Sequence, residues 1–369
     1  MKIAFISSND GAPWGGSEEL WSRTAIRMAK QGFTVAANIK GWNPEARQIG
    51  ELEQANCKVF RRWYARTIPG RILQKLPSRN IYKFLDRFQP DFAVISQCFN
   101  CDGMTWMEEC SRRNIPFAII VQAASDQQSW LVDEEADRLA QGFTSAKKSF
   151  FVSRMNLATL IKQTGIELPN AKVIANPFNV PYDVQLPWID NGTTLKLACV
   201  ARLEPISKGQ DLLLEVLKNE KWRQRSLEIS FFGKGPNRKL IEKLANLWKI
   251  DRVNFCGYVD DVSKIWEEHH ALILPSRHEG LPLALVEAML CARTFIVTDV
   301  AGDAEFVKDN VTGFVAKAPR VEFLDDALER AWQKKDSLDE MGRAASVNVR
   351  KLIPADPIEA FVNEIIALC

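Results

Sequence analysis

Two glutamates, Glu279 and Glu287, lie eight positions apart in the stretch Ser276–Met289, and the first is followed directly by Gly, Leu and Pro. The apolar run Ala271–Leu274 comes just before this stretch and predicts a buried strand. Pro282 suits the first position of a helix, because its missing N–H would have no partner there. The sequence thus predicts a strand, a tight loop that carries Glu279, and a helix that carries Glu287.

The start of this predicted helix offers free amides and the positive end of the helix dipole, which together favour an anion. Two carboxylates beside an anion site suit a ligand with both hydroxyls and phosphates, such as a nucleotide sugar. Glutamates at this spacing also occur by chance as ordinary helix residues. The preceding strand, the Gly and Pro at the turn, and the apolar Leu283, Val286 and Met289 favour the functional interpretation.

The stretch from His278 to Ala288 resembles the E-x7-E signature of family 4 glycosyltransferases, retaining enzymes with the GT-B fold. The resemblance covers most of the chain and implies an α/β protein with two Rossmann-like domains facing each other across a cleft. It implies a hexosyltransferase that uses a nucleotide sugar. Four further segments are similar to family motifs in the expected order: Gly15–Glu18, Ala201–Gly209, Phe232–Pro236 and Phe255–Val259.

The resemblance assigns roles to the residues around the glutamate pair. Glu287 would hold the ribose, since a carboxylate accepts hydrogen bonds from two hydroxyls through its two oxygens. Glu279 would lie near the transferred sugar and accept a bond from a ring hydroxyl. The backbone amides of Gly280, Leu281 and Leu283 would face the sugar and the phosphates.

The leaving diphosphate needs positive charge, because negative charge grows on it in the transition state. Many transferases use a metal held by an Asp-x-Asp motif, which this sequence lacks. Arg202 could instead bind phosphate oxygens through its planar guanidinium, and Lys208 could place a positive charge beside them on its flexible side chain. Both follow the run Leu195–Val200, at the carboxyl end of a predicted parallel strand, where open α/β sheets place ligands. We therefore expect no metal and no cofactor, with two solvated surface cations as the alternative.

A glycine pair, Gly15 and Gly16, follows the first predicted strand. Glycine there lets the backbone approach an anionic ligand and adopt positive φ. Ser17 is expected to cap a helix that begins with Glu18. A plain turn into a helix is the alternative, and the family resemblance favours Gly16 as a donor contact.

The acceptor side departs from the family pattern, because many members carry a histidine after the central strand of the first domain and this chain has none there. Gln122 follows the run Phe117–Val121 and can donate a hydrogen bond, but it cannot act as a base. Asp126 can accept a proton. Both are candidate acceptor-side residues, and the activating group stays open. The family is thought to transfer on one face with the leaving phosphate taking the acceptor proton, so no nucleophile is assigned.

Strand-like and helical runs alternate in two successive series, which indicates parallel sheets with crossover helices. We predict an N-terminal acceptor-side domain at 1–180 and a nucleotide-sugar-binding domain at 181–350. The resemblance implies that a C-terminal helix within 351–369 returns to the first domain. The predicted strands are Lys2–Ser7, Phe33–Asn38, Phe92–Ser96, Phe117–Val121, Ser149–Val152, Leu195–Val200, Leu227–Phe232, Val253–Cys256, Ala271–Leu274 and Phe295–Thr298.

Composition is typical of a soluble globular protein: of 369 residues, 46% are hydrophobic and 25% charged, with a formal net charge of +2. No apolar stretch reaches transmembrane length. We expect a cytoplasmic protein, at most peripheral on the inner face of the membrane. Cys98 and Cys101 have the spacing of half a zinc site without a second pair, so free thiols are the preferred interpretation. Cys199 and Cys256 are expected in the core.

Residues 58–88 contain nine basic residues against one acid, Asp86, with six aromatic residues interleaved. Such a segment suits peripheral contact with an anionic membrane and a lipid-linked acceptor. An ordinary solvated face with core aromatics is the alternative, and an acidic soluble acceptor is a third. No nucleic-acid motif accompanies the charge, so no nucleic acid partner is expected.

The function predicted is sugar transfer to a hydroxyl acceptor, in glycan, glycolipid or cell-envelope polysaccharide synthesis. Two alternatives remain open: a nucleotide-sugar epimerase or hydrolase of the same fold, and a catalytically silent binding protein. The turn Gly233–Gly235 also suggests a dinucleotide site, but Arg238 stands where that fingerprint needs its third glycine. The nucleotide base, the sugar, the acceptor and the linkage are not specified by the sequence.

Overall fold

The structure is a computed structural model that describes residues 1–63, 81–124, 131–190, 192, 194–300 and 303–369. The chain forms two compact units, Met1–Pro177 with Asp356–Cys369, and Phe178–Ala355. The first unit ends at Pro177, whereas its predicted end was residue 180. It resumes at Asp356, whereas the returning C-terminal segment was predicted to begin at residue 351. The later return has a simple cause, because a helix of the second unit continues to Leu352.

The first unit contains a seven-stranded parallel sheet in the order β3-β2-β1-β4-β5-β6-β7. Parallel neighbours require crossover connections, which the intervening helices provide. The predicted strands lie within two residues of those observed, whereas β3 and β7 were not predicted. The strands are β1 (Lys2–Ser7), β2 (Thr34–Lys40), β3 (Lys58–Arg62), β4 (Phe92–Gln97), β5 (Phe117–Val121), β6 (Lys148–Phe151) and β7 (Ala171–Val173).

Helices cover both faces of this sheet, and the central strands are therefore mainly apolar, with polar residues at their ends: Lys2 and Ser7 in β1, and Ser96 and Gln97 in β4. Strand β5 is buried at all five positions. The helices of this part of the chain are α1 (Gly16–Lys30), α2 (Arg47–Gln54), α3 (Lys83–Phe88), α4 (Met104–Arg112), α5 (Asp133–Ser145) and α6 (Arg154–Thr164).

The second unit has a six-stranded parallel sheet in the order β10-β9-β8-β11-β12-β13. Its strands are β8 (Leu195–Val200), β9 (Leu227–Phe232), β10 (Val253–Gly257), β11 (Ala271–Leu274), β12 (Thr294–Thr298) and β13 (Phe314–Ala316). Its helices are α7 (Pro205–Lys208), α8 (Gln210–Leu217), α9 (Glu220–Arg223), α10 (Arg238–Leu247), α11 (Ser263–Glu268), α12 (Leu283–Leu290), α13 (Asp303–Phe306), α14 (Val321–Gln333) and α15 (Leu338–Leu352), with a 3-10 turn at Lys335–Ser337.

The last helix, α16 (Pro357–Ile366), belongs to the first unit. Its apolar face joins the core around α1, and the Phe361 ring lies edge-on to Phe150 with 5.0 Å between centroids. Arg27 on α1 pairs with Asp356 and Glu359 at 3.1 and 2.8 Å. Apolar packing and ion pairs at its start therefore hold α16 in place.

The cysteines are free thiols. Cys199 is buried on β8, as predicted, and burial raises the pKa of its thiol to about 12. The prediction for Cys256 is wrong, because its side chain is exposed. The reason is the alternation of side chains along the strand: Asn254 and Cys256 are exposed on one face of β10, whereas Val253 and Phe255 pack against the core on the other.

The basic and aromatic segment 58–88 lies only partly within the described residues, because 64–80 fall outside them. In the described part, the rings of Phe60, Phe84 and Phe88 pack together in the core. Arg61 is paired with two glutamates and Arg62 is 3% exposed. These three rings match the alternative of core aromatics, whereas the side chain of Trp63 is 60% exposed. The membrane contact stays a prediction. In the part of the chain that the structure describes, no helix has the length and apolar character needed to cross a bilayer.

Candidate active site

In the second unit, the loop after β9 packs closely against the backbone of the loop after β8. The close approach depends on two glycines of the loop after β9. A Cβ atom added to Gly233 or Gly235 would lie 2.2 Å from the carbonyl oxygen of Ala201 or Leu203, respectively. Gly233 also has a φ of 132°, which side chains disfavour. The Gly-x-Gly turn is therefore a packing element that supports the loop after β8.

A second set of contacts holds α7 against the loop after β11. Gly209 ends α7 with a φ of 63°, and an added Cβ would lie 1.8 Å from the Pro275 carbonyl oxygen. The Ser207 carbonyl oxygen accepts hydrogen bonds from the amides of Arg277 at 2.8 Å and His278 at 3.1 Å. The Arg277 guanidinium adds a two-point ion pair to the first turn of α8, at 2.7 and 2.8 Å. These contacts set the distance between the end of α7 and the loop.

Lys208 and Glu279 form a largely buried ion pair at this junction. Lys208 Nζ donates to Glu279 Oε2 at 2.6 Å, and Ser276 Oγ donates to Oε1 at 2.7 Å. The lysine and glutamate side chains are 21% and 7% exposed. Ser276 is buried, and its carbonyl oxygen accepts a hydrogen bond from Thr298 Oγ1. Each oxygen of the Glu279 carboxylate thus has a donor, which fixes its orientation.

The sequence predicts Lys208 and Glu279 as separate ligands, for phosphate and for sugar, and does not predict that they contact each other. It also missed Ser276. The only sequence signal for Ser276 is its place between the end of a strand and an acid three residues later. Hydroxyl groups at such places often bond locally, so this signal is weak.

Arg202 lies at the exposed edge of the loop after β8. Its Nη2 donates to Glu204 Oε2 at 2.6 Å, and 42% of its side chain is exposed. Its carbonyl oxygen accepts a hydrogen bond from the buried Gln210 amide at 2.8 Å, which fixes the backbone beneath it. Within the described ranges, no group of three or more His, Cys, Asp or Glu side chains is arranged to hold a metal ion.

Helix α12 begins one residue later than predicted. Pro282 is the N-cap residue, with an extended ψ of 125°, rather than the first helical residue. Its carbonyl oxygen accepts hydrogen bonds from the amides of Leu285 and Val286. The first helical amide, at Leu283, has no acceptor within the helix. The contacts predicted for the amides of Gly280, Leu281 and Leu283 stay a prediction.

Glu287 is inside α12 and is 2% exposed. Its Oε1 accepts two hydrogen bonds from one residue, Asn179, whose backbone N lies at 2.9 Å and whose Nδ2 lies at 2.8 Å. Asn179 stands near the start of the second unit, in a connector at 176–181 that contains two prolines and lies at the predicted boundary between the domains. Sequence reasoning missed this partner, because Asn and Pro in a connector ordinarily indicate a turn.

The glycine turn of the first unit differs from the prediction. Gly15 is the N-cap of α1 with a φ of −162°, an extended conformation open to any residue, and Gly16 is the first helical residue. The predicted positive φ is therefore wrong. Ser17 is not the cap, because the helix starts before it. Ser17 Oγ instead donates to Glu18 Oε1 at 3.3 Å.

Glu18, beside this turn, is a buried acid with 4% exposure that the sequence did not single out. Trp21 Nε1 donates to its Oε2 at 3.1 Å. Burial raises the pKa of Glu18, and the hydrogen bonds from neighbouring side chains oppose that effect. Glu18 lines a shallow depression at the carboxyl ends of β1 and β2, together with Asn9, Trp14 and Lys40.

Of the two acceptor-side candidates, Gln122 lies within the described residues and Asp126 does not. Gln122 follows β5 and is 5% exposed, and its Oε1 accepts a hydrogen bond from Asn176 Nδ2 at 2.8 Å. The sequence did not predict the contact between Gln122 and Asn176.

Residues 194–334 match the protein family described as "Glycosyl transferases group 1". The matched region begins just before β8 and ends just after α14. It therefore contains Arg202, Lys208, Glu279 and Glu287.

Relatives extend the comparison to other parts of the chain. An uncharacterized glycosyltransferase of Haemophilus influenzae is 23% identical over 337 residues, which cover 89% of this chain and 89% of that protein. The poly(ribitol-phosphate) alpha-N-acetylglucosaminyltransferase of Staphylococcus aureus is 24% identical over 152 residues, covering 41% of this chain and 31% of that protein. The similarity to the second relative is thus partial on both sides.

Among solved structures, HepE of Anabaena in complex with UDP is similar to this chain with a TM-score of 0.78. The match covers 100% of both chains at 15% sequence identity. A similarity at this level of identity concerns the fold, and it confirms the predicted GT-B fold.

Proposed function

We propose that this glycosyltransferase, whose residues 194–334 form a group 1 domain, moves a sugar from a nucleotide-sugar donor to a hydroxyl acceptor with retention of configuration, as family 4 enzymes do. The observation that carries the proposal is the Lys208–Glu279 pair, held at 2.6 Å beside the helix that contains Glu287. One cation and two carboxylates near the start of a helix match a ligand with phosphates and hydroxyls.

Lys208 is proposed to bind the diphosphate while it stays paired with Glu279. A lysine ammonium has three N–H donors, and Glu279 uses one of them, so the same nitrogen has donors for phosphate oxygens. Arg202, with its guanidinium partly exposed, would add a second cation. Together they would stabilise the charge that grows on the leaving diphosphate, which is why we propose a metal-independent reaction.

The sugar and the nucleoside would be held by the neighbouring groups. Glu279 would accept a hydrogen bond from a sugar hydroxyl, and Glu287 from the ribose. The amides of Gly280, Leu281 and Leu283 would complete the contacts with sugar and phosphate. The HepE structures, solved with UDP and with UDP-glucose, support a nucleotide sugar as the donor class.

Transfer would break the bond between the anomeric carbon and the phosphate oxygen and form a bond from that carbon to the acceptor oxygen on the same face. The acceptor proton would pass to the leaving phosphate, so no protein nucleophile is needed. Gly16 would contact the donor, and Gln122 and Asp126 are the proposed residues on the acceptor side. The Staphylococcus relative, named as a poly(ribitol-phosphate) alpha-N-acetylglucosaminyltransferase, supports a polymer with hydroxyl groups as the acceptor class. The proposed acceptor is therefore a glycan, a glycolipid or a cell-envelope polymer, and the proposed location is the cytoplasm.

Thermal unfolding with UDP, ADP and GDP, each with excess EDTA, tests the donor proposal. A nucleotide at 100 times its Kd stabilises the folded protein by about 2.7 kcal/mol. Incubation of the protein with the matching nucleotide sugars, with and without sugar acceptors, then separates transfer from hydrolysis or epimerisation. NMR of the product's anomeric proton shows whether configuration is retained. Absence of any nucleotide effect, or an inverted product, would contradict the proposal.

A further inference from the structure

Asn179 is joined to the proposed ribose-binding acid by two hydrogen bonds. Its backbone N and its Nδ2 both donate to Glu287 Oε1, at 2.9 and 2.8 Å. An oxygen of a carboxylate has two lone pairs, so these two donors use the hydrogen-bonding capacity of Oε1. Because both donors converge on one oxygen, they restrict the rotation of the carboxylate and thereby set the position of Oε2.

The segment that presents Asn179 is itself fixed to the second unit. The ring of Phe178 packs against Tyr182 with 6.1 Å between centroids. Tyr182 Oη donates to the Arg350 carbonyl oxygen at 2.9 Å, and Arg350 Nε donates to the Tyr182 carbonyl oxygen at 3.0 Å. Pro177, just before this segment, fixes its own φ and keeps the preceding residue extended. Asn179 is therefore held on both sides rather than carried by a free loop.

Glu287 needs such a partner because it is 2% exposed. A buried carboxylate is stable only when hydrogen-bond donors replace water. The paired amide donors of Asn179 supply this replacement at one oxygen, so the orientation of the other oxygen is set before any ligand arrives.

We propose that Asn179 is a positioning residue for ribose recognition: it orients Glu287 so that Oε2 accepts the hydrogen bond of a ribose hydroxyl. The inference rests on the proposed function, in which Glu287 binds the ribose of the donor. Asn179 would then contribute to the selection of ribonucleotides. It lies among the first residues of the second unit and sets the orientation of Glu287, the residue proposed to bind the ribose.

The test compares the Kd of a nucleoside diphosphate with that of its 2′,3′-dideoxy form by isothermal titration calorimetry. The probe is whichever of UDP, ADP and GDP raises the unfolding temperature most. The wild-type protein is expected to prefer the ribonucleotide by about tenfold or more, the range for a hydrogen bond to a charged group. Asn179→Ala is expected to lower this preference about fivefold, while the Kd of the dideoxy form changes less than twofold.

Two comparison variants make the outcome specific. Asn179→Gln keeps the amide but displaces it by one methylene, so it is expected to lose the preference as Asn179→Ala does. Asn176→Ala is the matched control, because it removes the same side chain three residues earlier, where the partner is Gln122. This control is expected to keep the ribose preference. Unfolding temperatures without ligand verify that each variant is folded.

The outcomes separate the two proposals. If Asn179→Ala keeps the full preference, or binds the ribonucleotide more tightly than wild type, the positioning role is wrong although the donor site stands. If the wild-type protein shows no ribose preference, or Glu287→Gln retains it, the ribose role of Glu287 fails and the role of Asn179 fails with it.

Discussion

The pair formed by Lys208 and Glu279 should be energetically coupled, and the coupling can be measured in the absence of any ligand. Lys208→Met would leave a carboxylate that is 7% exposed, with Ser276 Oγ as its remaining described donor. Breaking a buried ion pair by removing one partner costs about 3–5 kcal/mol. The 21% exposure of Lys208 and the bond from Ser276 reduce the expected loss to about 2–3 kcal/mol.

Removal of the acid should have a smaller effect. In Glu279→Gln the ammonium of Lys208 can turn towards water on its flexible stem, so we expect a loss of about 1 kcal/mol. The double variant leaves no unpaired charge, and its expected loss is also near 1–2 kcal/mol. The interaction energy from the double-mutant cycle should therefore be about 1–3 kcal/mol.

Urea unfolding followed by far-UV circular dichroism provides the assay, fitted with one transition per unit where two are resolved. The matched control is a cycle on the exposed pair Arg343–Asp339 in the same unit, whose side chains are 69% and 34% exposed. That pair should couple by about 0.5 kcal/mol or less. A Lys208–Glu279 coupling no larger than this control would refute the claim that the structure holds Lys208 beside Glu279.

Three further predictions address the ligands and the pH dependence. Glu287→Ala is expected to weaken nucleoside diphosphate binding by about 1.5–3 kcal/mol, whereas Glu279→Ala mainly lowers kcat; wild-type-like titrations and kinetics in both would contradict the site. Transfer should persist in excess EDTA and disappear in the Arg202→Ala/Lys208→Ala double variant with its circular dichroism unchanged, and activity that needs added magnesium or manganese would disprove this. The hydrogen bond from Arg225 lowers the pKa of Glu329 from 4.5 to about 2, so its stabilising effect is present above pH 4.5 and fades as the pH falls towards 2. Glu329→Gln should therefore reduce the free energy of unfolding by about 1 kcal/mol at pH 6 and by less at pH 3.5, and an equal loss at both would contradict it.

Long apolar runs made most of the fold predictable. β1, β5, β8, β9 and β11 were predicted at their observed bounds, because strands buried on both faces are almost continuously hydrophobic. Short strands gave no such signal. In β7 two of three residues are exposed, and β13 also spans only three residues. Such strands form because a neighbouring strand offers backbone partners, and that information is not local in sequence.

The sequence was sufficient to propose which residues belong to the candidate site. It was not sufficient to predict which of these residues contact each other. The types and spacing of Glu279 and Glu287 identify two acids near a helix start. The pairing of Lys208 with Glu279 depends on loops 71 residues apart, brought together where Gly209 meets Pro275. The bond from Asn179 to Glu287 spans 108 residues. Contacts at such separations follow from the tertiary fold, which a pattern in one segment does not contain.

The position of α16 sets the order in which the protein is completed during its synthesis. The ribosome releases residues 178–355 before the last helix, so the second unit has all its strands while the first still lacks one of its helices. Until α16 is made, the hydrophobic core to which its Phe361 and Ile365 belong lacks these side chains. The nascent chain therefore passes through a stage with an uncovered hydrophobic surface, at which chaperones act and truncated products aggregate.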